Sequence, residues 1–219
     1  MASDEWRVAS KESEIQGVAG YVMAGGASTR FGFDKARAEL NGETMLARMC
    51  RLVKDATGWV SVVAPCGRYA GSGERVVDDH WPGEGPLGGI ITALLATAGT
   101  DGGRDWNLIV SCDMPFLTRE WLSHLVGRAL ASEAQVVLPL SASGPEPLCA
   151  CWRTQAAEIL RPAFERGVRK VMDGVGHLKS EMLDEKDWKR FDKAGRLFWN
   201  MNTPEEYEEA RRIVEAEGR

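Results

Sequence analysis

The chain carries VAGYVM at Val18–Met23, followed without a break by AGGASTRFGFDK at residues 24–35. Six apolar or small residues in succession read as a buried strand, because a strand covered on both faces has no polar face to alternate with. Gly25 and Gly26 then mark a sharp turn at its carboxyl end. Such a turn points backbone N–H groups outward, where they can meet a phosphate, and Arg30 and Lys35 add positive charge to the same loop. A guanidinium takes phosphate oxygens in pairs, and an ammonium acts as a mobile point charge. The stretch therefore has the make-up of a polyphosphate site. It fits neither G-x-G-x-x-G nor a turn ending in G-K-S/T. Its own pattern is G-G-x-S-x-R followed by D-K, and a plain glycine turn is the competing reading.

Working outward, strand-like runs at 17–23, 59–64, 75–77, 106–112 and 135–140 alternate with helix-like runs at 43–56, 86–98 and 118–132. This alternation predicts an α/β fold, a single doubly wound and mostly parallel sheet with helices on both faces. Met45, Leu46, Met49, Leu52 and Val53 recur at helical spacing and form one apolar stripe, so the methionines read as core. Beyond residue 140 the pattern loosens into PEPLCACWR, a helix near 154–166, a charged stretch over 179–193 and a terminal helix from Pro204. Residues 1–14 read as a flexible tail and 15–219 as one domain elaborated in its second half.

With 219 residues, 44% of them hydrophobic, the chain can bury a sizeable core. A net charge of −5 argues against a broad nucleic-acid or anionic-membrane surface. Any anion site must be local. MASDEWRVASKESE at 1–14 lacks the apolar centre of a secretory signal and no run approaches a membrane span, so a cytoplasmic location is expected. The five cysteines, Cys50, Cys66, Cys112, Cys149 and Cys151, form no C-x-x-C pair and are assigned no chemistry. His80, His124 and His177 are scattered, without the spacing of a hydrolytic triad.

In open parallel sheets, ligands gather beyond the carboxyl ends of the strands. Three loops belong there: the glycine-rich turn, DDHWPGEGPLGG after the third strand, and DMPF after the fourth. Asp113 ends the run WNLIVSC and is followed two residues later by the rigid Pro115. A carboxylate so placed suits Mg²⁺, which needs one or two carboxylates plus substrate phosphates, although an aspartate there can also cap a turn. Asp78 and Asp79 can accept from a base or ribose. Gly85 to Gly89, with Pro86 and Leu87 opening a helix, allow close backbone approach to a flat ring and offer N–H donors. In NMNTPEEY, Asn200 and Asn202 fall on one side of an extended run, while Thr203 and Glu206 compose a capping box with Pro204 at the first helical position.

Taken in order, AGGASTRFGFDK, VVDD with GPLGG, SCDMPF, PLCACWR and NMNTPEEY resemble the motifs of molybdenum cofactor guanylyltransferases of the MobA type, over nearly the whole chain. The resemblance implies a Rossmann-like nucleotidyltransferase fold and transfer of GMP from Mg-GTP to the phosphate of molybdenum-molybdopterin, with release of pyrophosphate. It also implies partner proteins that deliver or collect the cofactor. Carried over by position, Met23, Ala24 and Gly25 would contact the nucleotide through the backbone, with Gly26, Pro86 and Leu87 beside it. Arg30 and Lys35 would hold the phosphates, Asp79 the guanine or ribose, and Asp113 the Mg²⁺; Asn200 and Asn202 would approach the metal or the acceptor. The sequence departs from the family at two places. Ala64-Pro65-Cys66 stands where an asparagine often lies near the base, and Phe31 replaces a methionine. A related transferase using CTP, or one acting on a sugar phosphate or lactyl phosphate, is the nearest alternative. A non-catalytic nucleotide-binding protein of the same fold is the other.

Overall fold

The computed structural model describes residues 17–25, 34–100 and 103–217. The tail expected over 1–14, together with Gly26, Arg30 and Phe31 of the glycine-rich loop, lies outside the described residues.

The first strand, β1 (Val18–Met23), sits in the middle of the sheet, paired in parallel with β4 (Ser61–Ala64) on one side and β6 (Trp106–Ser111) on the other. Beyond β4 lies β5 (Val76–Asp78), also parallel. A small hairpin of β2 (Glu39–Leu40) and β3 (Glu43–Thr44) follows the glycine-rich loop. The predicted strands thus hold in place and direction. Alternate residues of β1 serve opposite layers: Val18 and Val22 pack in one core, Ala19 and Tyr21 in the other. This is the burial on both faces that a central parallel strand requires.

Helices α1 (Met45–Thr57) and α3 (Arg119–Leu130) cover one face, and α2 (Pro86–Ala98) covers the other. Thr44 caps α1 by accepting from Ala47 N–H at 3.2 Å, and Thr118 caps α3 by accepting from Trp121 N–H at 3.2 Å. Gly58 closes α1 at φ 76, a left-handed position that glycine takes without strain.

The second half adds to the same sheet in a way that periodicity does not reveal. β7 (Val136–Ser141) turns through β8 (Gly144–Pro145) into β9 (Cys149–Arg153), which runs antiparallel and lies between β6 and β7. The connection is too short for the crossover that a parallel strand would need. After α4 (Ala157–Glu165) and α5 (Val171–Val175), β10 (Ser180–Leu183) pairs in parallel with β7 at the edge of the sheet. It lies in what reads as a charged stretch, because an edge strand keeps polar residues toward water. Two further helices follow, α6 (Glu185–Trp188) and α7 (Pro204–Glu217).

Cys50, Cys112, Cys149 and Cys151 are buried and Cys66 is exposed, all as free thiols. Burial pushes the Cys149 thiol up to about 12, so it remains protonated, and the Trp121 indole N–H donates to its sulfur at 3.3 Å. Among the described residues no helix is long and apolar enough to cross a membrane.

Gly20 shows how closely β1 and α1 meet. A Cβ there would lie 2.4 Å from Val53 Cγ1 and 2.5 Å from the carbonyl oxygen of Trp59. The carbonyl belongs to the backbone and cannot rotate away. Gly20→Ala is expected to cost about 3 kcal/mol, and hence to lower Tm by about 6–12 °C for a chain of this size. Thermal unfolding followed by circular dichroism checks it; a Tm within about 2 °C of wild type would mean that α1 shifts without cost.

Candidate active site at the carboxyl ends of the parallel strands

The last sheet bonds on β1 run from Ala24 N–H to Val63 O at 2.9 Å and from Cys112 N–H to Met23 O at 3.1 Å. Met23 and Ala24 thus spend these two backbone groups on the ladder. Gly25 is the first residue beyond it. A Cβ on Gly25 would lie 3.4 Å from Pro65 Cδ and 4.0 Å from Asp79 Oδ2, so the loops after β1, β4 and β5 meet around this glycine. Asp79 is oriented by its other oxygen, which accepts from Trp81 N–H at 3.0 Å and from the Thr92 hydroxyl at 3.2 Å. That leaves Oδ2 directed toward Gly25. Asp78, the neighbouring carboxylate, raises the thiol pKa of the exposed Cys66.

Gly85 adopts φ 96 ahead of α2, a backbone position only glycine holds easily. Pro86 has no N–H, so Leu87 is the first residue of α2 able to donate, while its side chain is fully buried. Gly88 and Gly89 differ from the expectation of close approach to a flat ring. The space a side chain would need is taken by Trp81 and Phe164 at Gly88, and by Met23 at Gly89, where a Cβ would lie 2.1 Å from Met23 Cε. These two glycines accommodate protein side chains.

On the other flank of β1, Asp113 follows β6 and Lys35 follows the glycine-rich loop. The Lys35 ammonium lies 3.7 Å from Asp113 Oδ2 and donates to Asn202 Oδ1 at 3.1 Å across 167 residues of sequence. Asp113 Oδ1 accepts from the Ser111 hydroxyl at 2.6 Å, and the Asp113 carbonyl accepts from Met201 N–H at 2.9 Å. The second contact ties the NMNTP segment to the end of β6. Thr203 and Glu206 form the expected capping box, with Glu206 Oε2 accepting from Thr203 N–H at 3.0 Å and Thr203 Oγ1 from Glu206 N–H at 3.3 Å. The two asparagines part company: Asn200 donates to the carbonyl of Phe198 at 3.4 Å, whereas Asn202 faces Lys35. Asp113 Oδ2 and Asn202 Oδ1 thus converge on one cationic point. An all-oxygen pair suits a hard ion such as Mg²⁺ that draws its remaining ligands from phosphates and water. No cluster of three or more His, Cys, Asp or Glu that could hold a metal ion occurs among the described residues.

Asp34 was legible only as part of D-K, yet it orients the lysine. Its carboxylate accepts from Ala36 N–H at 3.1 Å, from the Tyr69 hydroxyl at 2.8 Å and from Arg68 Nη2 at 2.9 Å. Burial, reinforced by Asp34, raises the Tyr69 pKa, so the phenol stays a donor. Lys35 therefore leaves a fixed turn. A concavity of about 920 Å³ opens beside this turn between α1 and the loop after β4, and is lined by Arg37, Arg51, Lys54 and Tyr69 among others. It contains neither Asp113 nor Asp79, and Arg51 there is paired with Glu43 at 2.9 Å. The strand-end chemistry, rather than the size of a hollow, locates the candidate site.

The profile of the MobA-like NTP transferase domain matches residues 20–181, which run from within β1 through β9 to the first half of β10. The chain belongs to this family of nucleotidyltransferases. The molybdenum cofactor guanylyltransferase of Desulfosudis oleivorans is 30% identical over 204 residues, covering 92% of this chain and 98% of that protein. A crystal structure of molybdopterin-guanine dinucleotide biosynthesis protein A from Archaeoglobus fulgidus superposes with a TM-score of 0.76 at 24% identity, over 90% of this chain and 99% of that one. The 2-C-methyl-D-erythritol 4-phosphate cytidylyltransferase of Thermus thermophilus shares the fold, with a TM-score of 0.62 at 13% identity, over 89% and 98% of the two chains. The doubly wound sheet is thus the MobA-like nucleotidyltransferase fold, with the antiparallel β9 as its departure from a wholly parallel arrangement.

Proposed function

We propose that the chain transfers GMP from GTP to the terminal phosphate of molybdenum-molybdopterin, forming the guanine dinucleotide cofactor and pyrophosphate. The observation that carries this reading is the meeting of Lys35, Asp113 and Asn202 at the strand ends, in a chain similar to molybdenum cofactor guanylyltransferases along almost its whole length. In this reaction an oxygen of the acceptor phosphate attacks the α-phosphorus of GTP, a new P–O bond forms, and the bond from the α-phosphorus to the bridging oxygen breaks as pyrophosphate leaves.

Gly25 and Leu87 offer N–H groups toward the nucleotide, and Asp79 Oδ2 accepts from its base or ribose. Lys35 neutralises charge on the phosphates, with Arg30 of the adjoining loop in the same role. Asp113 and Asn202 would hold Mg²⁺, which supplies charge neutralisation and alignment of the triphosphate. The contribution of the chain is positioning and electrostatics. We place the enzyme in the cytoplasm, with proteins that pass on the molybdenum cofactor as its partners.

Selective binding to the folded state raises stability as RT ln(1 + [L]/Kd), so GTP with Mg²⁺ is expected to raise Tm more than CTP, ATP or UTP at equal concentration. Differential scanning fluorimetry measures this directly. CTP is the second reading, because the loop after β4 carries Ala64-Pro65-Cys66 where a base-side asparagine often lies. Equal or larger shifts with CTP would replace the guanylyl assignment with that one.

A further inference from the structure

The loop after β5, residues 79–85, carries nucleotide-side groups at both of its ends. Asp79 Oδ2 is directed toward Gly25 at one end, and Gly85 leads into the Leu87 N–H at the other. Between these ends the backbone has unusual freedom, because Glu84 stands between two glycines in left-handed conformations, Gly83 at φ 84 and Gly85 at φ 96. A backbone bond from Glu84 N–H to the Trp81 carbonyl at 3.1 Å closes a turn within the loop.

Restraint from outside comes from the end of α4. Trp81 rests on the buried Phe164, with ring centroids 5.2 Å apart. Arg169, in the segment 166–170 between α4 and α5, reaches across to Glu84, with Nη2 2.8 Å from Glu84 Oε2. Nη1 of the same guanidinium donates to the carbonyls of Phe164 at 2.6 Å and Val168 at 3.1 Å, and the group lies 3.9 Å from the centroid of the Phe164 ring. A Cβ on Gly85 would lie 3.8 Å from the Arg169 carbonyl oxygen, so the two backbones also run against each other.

The side chains of Arg169 and Glu84 are 44% and 46% exposed, and an exposed ion pair is ordinarily weak because two long side chains must be immobilised to form it. Here one half is fixed beforehand. Two carbonyls and a ring face hold the guanidinium independently of Glu84, so closing the pair restricts Glu84 alone. What it restricts is the residue between the two left-handed glycines. The pair therefore acts on the shape of this loop far more than on the stability of the fold.

We propose that Arg169 is a positioning residue for the nucleotide: through Glu84 it holds residues 79–85 in the conformation that directs Asp79 Oδ2 and the Leu87 N–H toward the nucleotide. The inference rests on the nucleotide-binding part of the guanylyl-transfer reading above and adds a residue that itself touches neither substrate nor metal. Without the clasp the nucleotide has to order the loop as it binds, and that ordering is lost from its affinity.

The test uses the full chain and Mg-GTP, with binding measured by isothermal titration calorimetry. Arg169→Met, which keeps an apolar stem over Phe164, and Glu84→Ala are each expected to weaken binding about tenfold. The double variant should bind within about twofold of Arg169→Met alone, because the two residues act as one unit. Arg161→Gln, which breaks the similarly exposed 2.9 Å pair with Glu165 on α4 and leaves the loop untouched, should bind as wild type does. Hydrogen exchange supplies a readout that a general loss of stability would not reproduce. In nucleotide-free Arg169→Met the amides of residues 80–85 should exchange faster than in wild type, those of the central strands should not, and saturating Mg-GTP should return the loop to the wild-type rate. Faster exchange throughout the sheet would make Arg169 a residue of the fold and overturn the proposal. Wild-type affinity in either single variant, or losses that multiply in the double, would overturn it as well while leaving guanylyl transfer standing. Tighter binding of CTP than GTP by wild type would overturn the guanylyl reading instead, and the same set of proteins titrated with Mg-CTP must then show the same pattern. Binding of neither nucleotide would overturn both.

Discussion

Asp113→Asn is expected to reduce Mg²⁺-dependent pyrophosphate release about a thousandfold, the upper range for loss of one preorganised electrostatic group. The substitution keeps the shape of the side chain, and Asn can still accept from Ser111. It removes the charge that a hard cation needs and places an amide where Oδ2 now lies 3.7 Å from the Lys35 ammonium. The fold should persist, because the contact that ties Met201 to this turn uses the Asp113 backbone carbonyl. The measurement is pyrophosphate release against Mg²⁺ concentration for both proteins, with Tm as control. Near-normal turnover with an unshifted metal requirement would make Asp113 a turn residue, since Asp and Asn cap turns about equally well.

Lys35→Ala follows, with an expected loss of turnover of about a hundredfold or more. Its ammonium is the cation on which Asp113 and Asn202 converge, and it emerges from the turn that Asp34, Tyr69 and Arg68 hold in place. Stability should change little, since a Lys–Asp pair near the surface contributes about 1 kcal/mol or less. Lys35→Arg should not restore full activity, because a forked guanidinium does not reproduce a compact ammonium at this point. Unchanged pyrophosphate release by a folded Lys35→Ala protein would falsify the role.

The part of the fold that could be read locally is the part built from local periodicity. VAGYVM and WNLIVS are strands because they are apolar on both faces, and the α1 stripe of Met45, Met49, Leu52 and Val53 is buried as its spacing requires. The strand-end positions of Gly25, Asp79 and Asp113 follow from the same pattern, and the Thr203–Glu206 capping box from a four-residue signature. Each of these features is encoded within a few residues of itself.

What tertiary structure decided lies in pairings between distant residues. Lys35 and Asn202 are joined over 167 positions, and Asp34 with Tyr69 over 35. Nothing in either partner's neighbourhood announces the other. The same holds for Phe116 with Trp199, and for Met23, whose methyl fills the space beside Gly89 that local reading leaves to a ligand. CACWR is apolar enough for a strand, but a short apolar run does not encode direction. Its antiparallel place between β6 and β7 comes from the short return after β7. By itself the sequence determined which segments form strands and helices and which strand ends carry polar chemistry, because side-chain period and capping act over one or two turns. Which ends meet, and therefore which lysine faces which aspartate and asparagine, was decided by the order in which the crossovers lay the strands side by side, a property of the whole chain.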